Sequence, residues 1–162
     1  MASFLRSLHA GINDAGLIVG TRQELSSEHG FLYNAGTITD IDFPGFDTTA
    51  NAINRSGVIV GTIYDRQGGA HGYVLRGGVF TQIDFPLAML TDVLGINDGG
   101  ELAGSFRDTH GVDHGFVYSR GVFNQIDVFG AKGTYLTRIK NGGHITGYFL
   151  DLLGEAHGMV GR

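Results

Sequence analysis

Four histidines recur in one context: His29, His71, His114 and His157 each precede a glycine, at intervals of 42 or 43 residues. Three of them are followed, 13 residues later, by an aspartate in an Ile-Asp pair: Asp42, Asp84 and Asp127. An imidazole can ligate a metal, shuttle a proton or donate to a carboxylate. The spacing favours the last. If the histidine opens one strand and the aspartate closes its antiparallel neighbour, the two sit side by side and satisfy each other. A shared metal would need all four imidazoles at one point, but two strand spacings, about 10 Å, separate each from the innermost strand. His157 has no such aspartate in its own segment.

Other candidate chemistry is sparse. The Asn-Asp-x-Gly segments resemble pieces of calcium loops, yet they lack the further acidic positions and the closing glutamate. They read as hairpin turns in which Asn and Asp bond their own backbone. The glycine pairs lack the following helix and Lys-Ser/Thr of a phosphate loop. There is no cysteine, hence no thiolate nucleophile and no disulfide frame. No metal and no cofactor is expected.

Residues that break a repeat are better functional candidates than those that obey it. Arg138 stands where the other segments have Gly11, Ala52 and Gly95, and Lys140 where they have Asn13, Asn54 and Asn97. His9 stands opposite Ala50, Val93 and Leu136. The connecting loops also diverge, with Phe46 and Asp47 in one, Met89 and Leu90 in the next, then Phe129, while His110 occupies a further loop and Asp92 lies close by. Apolar loop residues gathered on one face, with a few polar groups among them, suggest a small-molecule pocket. Its ligand-binding residues would be Phe46, Asp47, Met89, Leu90, Asp92, Phe129 and Lys140. Were it catalytic, His110 or His9 would act as acid or base and Arg138 would stabilise developing negative charge.

The elements that must hold these residues are strands. Each segment carries four apolar runs of four to eight residues, rich in β-branched and aromatic types and separated by glycine turns. Nothing sustains a 3.6-residue period. Four strands per segment of about 40–45 residues is the unit of a β-propeller. The expectation is a single all-β domain over 1–162, a small β-propeller of four four-stranded repeats. The units are about 7–49, 50–91, 92–134 and 135–162 plus 1–6. In that reading the short N-terminal strand completes the last repeat, and otherwise the open edge invites a homodimer.

Gly11-Ile12-Asn13-Asp14-Ala15-Gly16-Leu17-Ile18-Val19-Gly20 and Asp42-Phe43-Pro44-Gly45 resemble the HAF repeat, whose pattern is similar to G-I-N-D-x-G-x-I-V-G, D-x-x-G-x-x-H-G-F and I-D-F-P-G. The resemblance covers nearly the whole chain and departs from the pattern at Leu87, Phe129, Arg138 and Lys140. It implies an extracellular bacterial repeat protein and carries over no catalytic residue.

Composition narrows the partners. Glycine makes up 28 of 162 residues and proline two, without a collagen period. Eleven scattered Lys/Arg against 16 Asp/Glu leave a net charge of −5, with no basic stripe for a nucleic acid. No apolar run approaches 18 residues, and no signal-peptide core opens the chain, so membrane insertion is not expected. Three readings remain. The first is a module binding a small molecule or glycan on the loop face. The second is a cofactor-independent lyase, isomerase or cyclase acting on an apolar molecule in the same pocket. The third is a self-assembling structural repeat.

Overall fold

The computed structural model describes the chain from residue 6 to residue 162, with side-chain surroundings from residue 11 onward. Every regular element among the described residues is a strand. The first unit is β1 (Arg6–Ile12), β2 (Ile18–Gln23), β3 (Glu28–Asn34) and β4 (Thr37–Ile41), paired in chain order as an antiparallel meander. The second repeats it as β5 (Asp47–Ile53), β6 (Ile59–Tyr64), β7 (Ala70–Arg76) and β8 (Val79–Ile83). The third is β9 (Leu90–Ile96), β10 (Leu102–Arg107), β11 (Asp113–Ser119) and β12 (Val122–Ile126). A fourth meander holds β13 (Gly133–Ile139), β14 (Ile145–Leu150) and β15 (Ala156–Gly161).

Turn chemistry sets these hairpins. The β3–β4, β7–β8 and β11–β12 turns place two consecutive residues at positive φ: Ala35-Gly36, Gly77-Gly78 and Arg120-Gly121. That is the two-residue turn whose twist matches the strands it joins. Asn13, Asn54 and Asn97 each open the turn after the first strand, and their side-chain oxygens accept the N–H four residues on, from Leu17, Val58 and Glu101.

Each first strand carries one extra residue, at Ala10, Asn51, Leu94 and Thr137, where its pairing register slips. A bulge of this kind bends and twists a strand. Facing the bulges of the last three units are Gly61, Gly104 and Gly147, where a Cβ would lie 1.9 Å from the carbonyl oxygen of Thr49, Asp92 or Tyr135. Only glycine lets the two backbones approach so closely.

The core lies between units. Val19 and Ile41 of the first pack with Ala50, Ile53, Ile59 and Tyr73 of the second. Val58 and Val60 pack with Val93, Ile96, Leu102 and Phe116 of the third, and Ala103 packs with Leu136, Ile139 and Ile145 of the fourth. Buried Thr48, Thr91 and Thr134 fasten the connections, each hydroxyl accepting the backbone N–H of the preceding loop, from Phe43, Phe85 and Val128.

The outermost strands β4, β8 and β12 are largely exposed. One expectation needs correction. Arg6, expected beside the last strand, belongs to β1 and pairs with Gln23, which fixes it in the first unit. The rest of the expected closing segment, Met1–Leu5, lies outside the described residues.

Candidate ligand-binding site

The loops after β6, β10 and β14 and those entering β9 and β13 share one face. Met89 N–H donates to the Arg107 carbonyl at 2.8 Å, and Lys132 N–H to that of Leu150 at 2.8 Å. A pocket of about 310 Å³ is lined by Tyr64, Leu90, Asp92, Leu94, Ser105, Phe106, Arg107, Asp113, Tyr135 and Tyr148. Three units contribute strand residues, so the wall is rigid backbone rather than mobile loop.

Its polar groups form one connected set. Arg107 grips Asp113 bidentately, Nε to Oδ1 at 2.8 Å and Nη2 to Oδ2 at 2.9 Å. The Tyr135 hydroxyl donates to the same Asp113 Oδ2 at 2.6 Å. Three guanidinium N–H donors remain to Arg107 after this fork. Asp92 accepts the Thr62 hydroxyl at 3.0 Å. Beside them Tyr135 and Tyr148, opposite each other in register, stack with centroids 4.7 Å apart and planes 13° from parallel.

The two carboxylates are shifted in opposite directions because their surroundings differ. Burial pushes Asp92 above the ordinary carboxylate value, Thr62 opposes this, and the nearby charge of Asp113 adds to it. Burial would raise Asp113 too, but hydrogen bonds from Arg107 and Tyr135 outweigh it and hold its carboxyl below the ordinary value. Tyr64 and Tyr135 are both pushed up to about 12, first by burial and then by a facing aspartate, so both phenols keep their protons. The pocket thus presents a carboxylate held below its ordinary pKa, one pushed above it, a guanidinium and an aromatic platform.

The sequence candidates scatter across this surface. Leu90 and Asp92 line the 310 Å³ pocket. Phe46 and Asp47 line a separate cleft of about 460 Å³ between the first two units, with His29, Asp42, Tyr64 and Arg66. Met89 and Phe129 lie exposed in their loops and line none of these cavities. His110 is exposed in its loop, 3.4 Å from Asp108. Arg138 donates to the carbonyls of Thr137 at 2.9 Å and Leu94 at 3.4 Å. The side chain of His9 lies outside the described residues. His110 and Arg138 thus stand on different elements, the loop after β10 and strand β13.

Lys140 lines a separate cleft of about 320 Å³ with Ile12, Ile53, Ile96, Ile139 and the adjoining turns. An amide ladder dominates there. Asn13 Nδ2 donates to the Asn54 carbonyl at 3.0 Å, Asn54 to that of Asn97 at 3.2 Å, and Asn97 to that of Lys140 at 3.3 Å. Asp14 bridges to Arg55, and Asp98 to Asn141. The Asn in the recurring Ile-Asn pair is thus a staple between neighbouring units, and Lys140 supplies its last acceptor.

The histidines pair as their spacing indicates: Nδ1 of His29, His71 and His114 lies 2.9–3.0 Å from Asp42, Asp84 and Asp127. These rings are partly exposed rather than buried, as they stand on the outer half of each unit. His157 instead meets Asp151 of its own loop at 3.0 Å. Asp151, Glu155 and His157 form a loose exposed group, in which Asp151 already accepts the N–H groups of Leu153 and Glu155.

Sequence reading missed Arg107, Asp113, Tyr64, Tyr135 and Tyr148. The signal was present: Arg107 stands in register with Tyr64 and Leu150, Asp113 with Ala70 and Ala156, and Tyr148 with Thr62 and Ser105. Applied to the second and third strands, the search for repeat-breaking positions would have found Tyr64, Arg107, Asp113 and Tyr148, while Tyr135 lies on a first strand.

No family model matches the chain, and no curated protein matches it significantly. Solved structures do resemble it. A triple arginine-to-alanine mutant of AofleA from Arthrobotrys oligospora superposes with a TM-score of 0.58 at 18% identity, over 98% of this chain and 55% of that one. A candidate gluconolactonase superposes with a TM-score of 0.51 at 18% identity, over 95% of this chain and 62% of that one. The chain thus spans little more than half the length of either neighbour. At this identity the likeness concerns the fold: the chain is an all-β protein of β-propeller type.

Proposed function

We propose that the chain forms a four-unit propeller arc of HAF type that binds a small polyhydroxylated molecule, a sugar or short glycan, in the Tyr64–Tyr135–Tyr148 pocket. The observation that carries this reading is the Tyr135–Tyr148 stack beside the Arg107–Asp113 fork. An aromatic face accepts the C–H face of a sugar ring, while a fixed carboxylate and guanidinium read its hydroxyls. Tyr148 is 38% exposed, so the platform is open to a ligand. The test is glycan-array screening followed by calorimetric titration of the best hit. Tyr148→Ala should weaken binding about tenfold, the value of one aromatic contact. Unchanged affinity in that variant would remove the pocket from the reading.

A second reading rests on the divergent carboxylates. An Asp92 that burial pushes above the ordinary carboxylate value, near an Asp113 that its hydrogen bonds hold below it, is the arrangement of an acid–base pair. The candidate gluconolactonase among the structural neighbours suggests sugar lactones as the first substrates to try. In this reading Asp92 is the acid, and Asp92→Asn abolishes turnover while leaving affinity intact. A lactone consumed at equal rates by wild type and this variant excludes it.

A further inference from the structure

The cleft of about 460 Å³ between the first two units holds a hydrogen-bonded chain found in no other unit among the described residues. Ser27 Oγ lies 2.9 Å from His29 Nε2, and His29 Nδ1 lies 2.9 Å from Asp42 Oδ1. Asp42 accepts from Nδ1–H, which places the proton on that nitrogen and leaves Nε2 to accept the Ser27 hydroxyl. Ser27 directly precedes β3, and residues two apart along an extended chain share a side, so it reaches the same side as His29. A hydroxyl, an imidazole and a carboxylate bonded in this order are the parts of an activated nucleophile.

The other units show what this arrangement replaces. Nε2 of His71, His114 and His157 lies 3.6, 3.5 and 3.0 Å from a carboxylate oxygen, of Asp65, Asp108 and Asp151 respectively. An ionised carboxylate has no proton to yield to an imidazole. In the first unit the loop before the histidine spans 24–27, one residue shorter than 65–69, 108–112 and 151–155. Glu24 takes the place of the three aspartates and turns to Arg22 at 3.1 Å. The Nε2 side of His29 is thereby left to the Ser27 hydroxyl.

We propose that Ser27 is a nucleophile for acyl transfer and that the cleft takes a small carboxylic ester. Phe43, Pro44 and Phe46 give the cleft apolar lining for the acyl chain, and Arg66 adds a cation for the oxygen that turns negative. Ser27 Oγ bonds to the ester carbonyl carbon as its proton passes to His29 Nε2. The C–O bond to the alcohol then breaks, and the alcohol leaves with that proton. Water, deprotonated by the same nitrogen, attacks the acyl-Ser27 ester, the carboxylic acid departs and the proton returns to Oγ. Asp42 is a positioning residue that holds the imidazole in the accepting tautomer. The lining of this cleft shares only Tyr64 with that of the sugar pocket, so the two sites stand or fall separately.

A fluorophosphonate probe and p-nitrophenyl butyrate test this on the whole chain. The probe should form one phosphonyl adduct, with loss of fluoride, that peptide mass spectrometry places on Ser27. Ser27→Ala should abolish the adduct and lower ester turnover about a hundredfold, with the circular-dichroism spectrum of the wild type. Asp42→Asn should lower kcat by about the same factor and leave KM unchanged, because Asn keeps the size of the side chain and favours the other tautomer. A wild type whose Ser27 stays unmodified overturns the proposal, as does an adduct on Ser26 instead or an Asp42→Asn variant with wild-type kcat.

Discussion

Asp92 illustrates how one side chain records its surroundings. Its folded-state pKa is raised, chiefly by burial. A raised carboxylate contributes its full stability below the ordinary value near 3.9, and loses it as pH climbs through the shifted value and the charge must be buried. Asn at this position still accepts the Thr62 hydroxyl and carries no charge. Asp92→Asn should therefore melt about 2–4 °C above wild type at neutral pH, the shift that roughly 1 kcal/mol gives in a domain of this size. The difference should close below about pH 4, where the wild-type carboxyl is neutral. Differential scanning calorimetry across pH checks both halves, and a variant less stable than wild type at pH 7 contradicts the account.

At the scale of elements, bulge and glycine act as a pair. Gly104 on β10 faces the register slip in β9, and its missing Cβ leaves room for the Asp92 carbonyl. The obstacle is backbone on both strands, so no rotamer change relieves it. Gly104→Ala should destabilise the protein by about 3 kcal/mol, at the upper end of overpacking costs. Urea unfolding reads this, and a loss below about 0.5 kcal/mol would match an ordinary surface change and show that the strands can separate freely. The pocket inherits this rigidity: Asp92 lies on the bulged strand and Ser105 directly follows the glycine.

For the whole molecule, the loop aspartates act together. Asp65, Asp108 and Asp151 each accept two backbone N–H groups in the same turn, two and four residues on. All three pKa values are lowered: Asp65 first by Gly69 N–H, Asp108 to about 2 first by Val112 N–H, and Asp151 to about 2 first by His157. A depressed carboxylate adds stability that is complete above its unfolded value and lost as pH falls through the folded one. Acid should thus loosen three units over one window, between about pH 4 and pH 2. The urea midpoint should fall steeply there, and the triple variant D65N/D108N/D151N should flatten the fall. An equally steep acid limb in that variant would place the titrating groups elsewhere.

The repeat, the strands, the hairpin turns and the His–Asp pairs were legible in the chain because each depends on local spacing: alternation, positive-φ glycines and a 13-residue offset across one hairpin. Leu90 and Asp92 emerged from the loop-face argument for the same reason, as neighbours of a connection whose position follows from strand order. Tyr135, Tyr148, Arg107, Tyr64 and Asp113 did not emerge together, since they come from three units and meet only where the first three strands of those units curve past one another. The Asn ladder was equally hidden: an Asn that caps its own turn looks complete until a neighbouring unit brings a carbonyl to its free amide. Spacing along the chain determined what each unit is. Packing between units decided which residues share a pocket, because those distances are set by the twist and bulge of strands some 40 residues apart.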